Sequence, residues 1–134
     1  MSAEPAAFVR WIEEAEKLDD LVNEAKYRTW QSGVEHAQLV LVNEDRPMLV
    51  KGGKDGIIFD VGEIDGVEMI LIELGGVIDL LHAISWHTHP RVTGPSDGDR
   101  EALRILGQLG SVIYEIGGEP DGTIFGPDKA KPRR

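Results

Sequence analysis

Residues 85–99 read SWHTHPRVTGPSDGD. The chain has four histidines, and two of them, His87 and His89, stand here with one residue between them. Alternate residues of an extended chain point the same way, so both imidazoles can face one point. Pro90 has no N–H for a ladder and biases His89 towards an extended backbone, which ends the strand just after the pair. Gly94 and Pro95 are turn formers. Ser96-x-x-Asp99 then precedes a run with helical spacing at Ala102, Leu103, Leu106 and Leu109. The stretch reads as a strand end, a turn and a helix start.

Two neutral imidazoles and the Asp99 carboxylate make a three-ligand set for zinc with a fourth position open, which is what separates a catalytic from a structural site. The same residues have a purely structural reading. Ser96 and Asp99 form a capping box, with Asp in place of the usual Glu or Gln, and Asp97 and Asp99 suit the positive end of a helix dipole. The two readings are compatible, because a capped helix start holds the Asp99 carboxylate still.

At 134 residues the chain is expected to be one domain with its own core. The absence of cysteine excludes disulfides, thiolate metal sites and a cysteine nucleophile, and fits a reducing compartment. A net charge of −10 argues against a nucleic-acid partner, which needs clustered Lys and Arg. The one basic cluster, KAKPRR (129–134), reads as a solvated end, so the domain is set at 1–127 and a flexible basic tail at 128–134. No secretory signal pattern opens the sequence. The most apolar window, VEMILIELGGVIDLLHAIS (67–85), carries Glu68, Glu73 and Asp79 and is not expected to span a membrane. A soluble, cytoplasmic protein without nucleic-acid or membrane partners is expected, of unknown oligomeric state.

Along the chain, residues 5–28 predict an amphipathic helix, with Pro5 at its first position and Phe8, Trp11, Ile12, Ala15, Leu18, Leu21, Val22 and Ala25 along one face. Gly33 breaks the pattern. Val- and Ile-rich runs between Gly, Pro and Asp predict strands at 36–42, 48–51, 57–61, 67–73 and 81–87. A helix over 99–109 and strands at 111–116 and 123–125 complete the set. This order predicts an α/β or α+β domain with a mixed β-sheet flanked by helices. Trp11 and Trp30 read as core residues, and His36 and His82 as packed or surface histidines.

Other His-x-His proteins fit poorly. Amidohydrolases need a barrel of roughly 250 residues. Cupins carry a glutamate three or four residues after the second histidine, where this chain has Val92 and Thr93. The string H-x-H-P, a short turn and S-x-x-D resembles the metal-binding motif of the JAMM family, also called MPN+ or JAB domains, which are zinc-dependent isopeptidases. Trp86 adds to the likeness, since W-H-T-H-P is a common wording in bacterial members. The resemblance spans roughly residues 5–117, with a specific core of fifteen residues. It implies a JAB/MPN-like fold with cytidine-deaminase-like layers, zinc ligands His87, His89 and Asp99, and Ser96 as a stabiliser of the tetrahedral intermediate. The turn from Pro90 to Ser96 has five residues where six or seven are expected, which leaves Asp97 as an alternative ligand. The family also has a glutamate at the start of the strand after the first helix. In GVEHAQLVLV (33–42) that position is Glu35, with Glu44 and Glu24 as alternatives.

The implied activity is hydrolysis of an amide or isopeptide bond without a covalent intermediate. Zinc lowers the pKa of water towards about 7. Glu35 acts as general base and then donates the proton to the leaving amine, and Ser96 shares the developing oxyanion with the zinc. The implied substrate is a polypeptide, such as a ubiquitin-like or sulfur-carrier protein, and a small bacterial one suits a chain with little room for ubiquitin-gripping insertions. The alternative is a non-catalytic JAB-like binding or immunity-type module of a bacterial conflict or toxin system, some of which GPSDGD (94–99) is similar to. Degenerate members lose a ligand or the glutamate, whereas here all five positions are filled.

Overall fold

The computed structural model describes residues 4–129. In chain order the elements are β1 (Ala7–Trp11), α1 (Leu18–Ser32), β2 (His36–Leu41), β3 (Met48–Lys51), β4 (Asp60–Ile64), β5 (Val67–Leu74), β6 (Val77–His89), α2 (Asp97–Leu106), β7 (Ser111–Glu115) and β8 (Thr123–Phe125). The fold is α+β, with one mixed sheet and two helices. Of the tail expected over 128–134, residues 130–134 lie outside the described part.

The thirteen-residue strand β6 is the spine of the sheet. Its first part pairs with β5 and its middle with β2, both antiparallel. Its last four residues pair with β7, and that pair is parallel. Two parallel neighbours need a crossover, which α2 supplies between them. The remaining order is β1-β3-β2-β6-β5-β4, with β8 added outside β7. Side chains alternate between the two faces of a strand. Trp86 and Tyr114 therefore share one face with Leu49, where Leu21, Val22 and Ala25 of α1 cover them. Ala37, Leu39, Val50, Ile70 and Ile84 share the other face, with Ala102 of α2 packed on them.

The first helix is shorter than its spacing predicts. Residues 7–11 are strand β1, paired with β3 at the sheet edge through Phe8↔Val50 and Trp11↔Met48. Aromatic and β-branched residues at three- and four-residue steps suit a strand as well, and the pairing with β3 decides the outcome. Arg10 joins this strand to the helix through Glu24 and to the segment ahead of the helix through Glu16. The helix closes as expected at Gly33, whose left-handed conformation (φ 74°) lets its N–H reach Thr29 O.

Other expectations also shift. Trp30 is 69 % exposed rather than core, because it faces away from the buried stripe Leu21, Val22, Ala25 and Thr29. Strand β4 begins at Asp60, so Ile57, Ile58 and Phe59 precede it, and Ile57 and Phe59 pack against the core from an irregular segment. Helix α2 stops at Leu106, with Gly107 left-handed at its end, and Leu109 is exposed beyond it. Strand β6 runs longer than expected on its amino-terminal side.

Candidate metal centre

His87 and His89 end β6, as the proline after them requires. Register places the other groups. Ala37 is the cross-strand partner of His87, so Glu35, two residues earlier on the antiparallel neighbour, comes beside His89. On the parallel side His89 pairs with Glu115. Helix α2 then returns Asp99 over the same end of the sheet. The centre lies at the carboxyl ends of the parallel pair, where open sheets with crossover helices place their sites.

His87 Nε2 and His89 Nε2 are 3.0 Å apart. Asp99 Oδ1 is 3.4 Å from the first and its Oδ2 is 3.5 Å from the second. Zinc bonds of about 2.0–2.1 Å in a tetrahedron put neighbouring ligand atoms about 3.3 Å apart, close to the His87–His89 edge, while Asp99 offers a different oxygen to each imidazole. Glu35 stands further off, with Oε2 4.0 Å from His89 Nε2. Glu35, His87 and His89 also offer ligand atoms within 4.8 Å of one another, so this trio could hold a metal ion as well. The two histidines are common to both sets, with Glu35 or Asp99 as the third carboxylate beside them.

Helix α2 begins with the expected capping box. Ser96 Oγ accepts the Asp99 N–H at 3.0 Å, and Asp99 Oδ2 accepts the Ser96 N–H at 3.0 Å. The serine hydroxyl keeps its hydrogen to donate, and Ser96 lines the same cavity as Glu35, His87 and Asp99. The other candidates lie elsewhere. Asp97 is exposed, with Lys129 Nζ at 3.5 Å. Glu24 is engaged by Arg10 and Arg28. Glu44 is exposed in the turn after β2, and His82 is exposed on β6. His36 is buried on the α1 face, where its Nδ1 lies 2.9 Å from Thr29 Oγ1.

Electrostatics separates the carboxylates. Burial pushes the Glu35 carboxyl above its usual range, against the opposing pull of His87 and His89. Burial acts on Asp99 in the same direction, but the imidazoles of His87 and His89 outweigh it and hold Asp99 well below that range. One carboxylate is thus readily protonated while its neighbour stays ionised, an arrangement suited to one proton carrier and one metal ligand.

Glu115 is the participant that sequence reasoning missed. It is buried at the end of β7, and its Oε2 accepts the N–H groups of Thr93 and Gly94 at 2.8 and 2.9 Å. The same oxygen lies 3.1 Å from His89 Nδ1. A lone Glu in SVIYE carries no motif; only the parallel pairing of β6 with β7 reveals it. His87 has no such partner among the described residues: its buried Nδ1 is unpaired, and its ring meets Phe125 edge-on at 6.0 Å between centroids.

Comparison with known protein families, characterised proteins and solved structures gives no match. Among the described residues, no helix is long and apolar enough to cross a membrane.

Proposed function

We propose that the protein is a zinc-dependent hydrolase of amide or isopeptide bonds, of the JAMM type that its motif resembles, acting on a polypeptide in the cytoplasm. The observation that carries this reading is the meeting of His87 and His89, 3.0 Å apart, with the two oxygens of Asp99 at 3.4 and 3.5 Å from them and Glu35 at 4.0 Å from His89. Zinc held by His87, His89 and Asp99 supplies Lewis acidity that makes water nucleophilic near neutral pH.

The side chains supply the rest. Glu35, with its raised affinity for a proton, takes one from the attacking water and passes it to the departing amine. Ser96, fixed by the helix cap, donates its hydroxyl hydrogen to the oxygen that gains charge as the carbonyl is attacked. Asp99 stays ionised throughout and balances the positive charge of the metal. The alternative of a non-catalytic binding module gives a half-buried glutamate beside two buried histidines no task.

The test combines metal analysis with turnover. Protein purified without chelator should carry about one zinc per chain and cleave a ubiquitin-like fusion. His87→Ala and His89→Ala should each lose the metal, whereas His36→Ala and His82→Ala should retain it. Undetectable zinc, with no uptake on addition, would sink the reading.

A further inference from the structure

The metal centre forms one end of a larger cavity of about 370 Å³. The cavity runs from Glu35, His87 and Asp99 into a cleft between α2 and the segment ahead of β4. Its walls there are Ile57, Phe59, Val61, Ile70, Ile84 and Ile105. This volume lies within the roughly 300–1,000 Å³ of ligand pockets, well beyond the needs of a metal ion and one water. Part of the wall is open apolar surface: Ile58 is 38 % and Val61 58 % exposed. The rim carries the carboxylates of Asp55 and Glu101, the second of them ion-paired with Arg104 beside the cavity at 2.6 Å.

We propose that this cleft receives a bulky apolar side chain of the substrate, next to the bond that is cleaved. The proposal rests on the hydrolase reading and narrows it to an uncharged or cationic peptide with a branched aliphatic or aromatic residue at that position. Three observations converge on this occupant. The cleft is continuous with Glu35, Asp99 and Ser96, so a chain lying on the centre has its neighbouring side chain over the cleft. A glycine there leaves the apolar walls facing water, whereas a Leu or Phe side chain covers them. Asp55 at the rim, on a chain of net charge −10, repels an acidic neighbour.

The experiment uses the zinc-loaded full chain and short unstructured peptides that differ only beside the central bond, with Leu, Phe, Gly or Asp there and Lys or Glu further out. The expected result is a kcat/KM at least about tenfold higher for Leu and Phe than for Gly, as one buried apolar group commonly gives. The peptides with Asp or Glu should be the poorest. Val61→Asp and Ile58→Asp, both at exposed positions, should collapse the Leu-to-Gly ratio while zinc affinity stays as in the parent. Val77→Asp, on exposed surface outside the cavity, should leave the ratio unchanged. Binding of the same peptides to zinc-loaded Glu35→Gln, read by fluorescence anisotropy, should follow the same order. Equal cleavage of the Leu and Gly peptides overturns the cleft assignment and leaves the hydrolase standing. If neither the peptides nor a ubiquitin-like fusion is cleaved, the hydrolase reading falls and the cleft assignment falls with it.

Discussion

A single oxygen of Glu115 holds two things in register, the loop after β6 through Thr93 and Gly94 and the imidazole of His89 through Nδ1. Were His89 Nε2 to hold the proposed metal, Nδ1 would carry the hydrogen and donate it to this carboxylate, which would fix the tautomer and raise the basicity of the ligand nitrogen. Glu115→Ala should therefore weaken zinc binding about 10–100-fold. Glu115→Gln keeps an acceptor oxygen without the charge and should lose less. Competition with a chromophoric chelator measures both, independently of turnover, and unchanged affinity in the Ala variant would refute the role. Glu35 makes the opposite prediction. As the proposed base it is not one of the proposed ligands, so Glu35→Gln should keep zinc and melting temperature while losing turnover by about 10²–10⁴-fold. Glu44→Gln, in an exposed turn, is the control and should be nearly silent. A Glu35→Gln variant within threefold of the parent would mean that the base lies elsewhere.

Elements were legible where their signals were local. The end of β6 follows from Pro90, the start of α2 from Ser96 and Asp99, and the end of α1 from Gly33, and each of these appears where its chemistry places it. Strand β1 was not legible, because Phe8, Trp11 and Ile12 obey helical spacing and the partner that makes them a strand lies some forty residues away in β3. Ile57 and Phe59 misled for a related reason: they are apolar because they line a cavity, and periodicity cannot tell that from a strand. The site divides in the same way. Its histidines, Ser96 and Asp99 sit in one motif, whereas Glu35 needed the resemblance and Glu115 needed the sheet register. The turn that covers Glu35 illustrates an element set by backbone geometry. Gly56 has φ +93°, and a Cβ there would lie 3.4 Å from Glu35 Oε2. That is ordinary contact, so Gly56→Ala should cost about 1–3 kcal/mol of stability from the backbone conformation alone and leave Glu35 in place. Denaturant midpoints test this, and full stability would contradict it.

The molecule as a whole has a core on each face of its sheet, which predicts that it folds without metal. Chelation should abolish turnover and lower the melting temperature only modestly, unlike a zinc finger, which unfolds without its metal. Loss of the cooperative transition on chelation would show that the centre is structural. Acid should act on the fold through a different histidine. His36 is 2 % exposed between α1 and the sheet, and burial pushes its pKa down from 6.5 to about 4. Its amide N–H donates to Thr88 Oγ1 at 2.9 Å, and the Thr88 hydroxyl lies 2.6 Å from that of Thr29, so the ring sits in a closed hydrogen-bonded group. Between those two pH values the unfolded chain binds a proton at this residue and the folded chain does not. The contribution is therefore complete above about pH 6.5 and is lost as pH falls towards 4, on the order of 3 kcal/mol. Glu35 works in the opposite sense, because a raised carboxyl pKa favours the folded state as pH falls through its range. The difference between parent and His36→Gln isolates the histidine. Urea unfolding of the metal-free proteins at several pH values from 7 to 4 should give a steeper loss of stability in the parent than in the variant. Parallel slopes would mean that His36 is not the neutral, buried group that its surroundings make it.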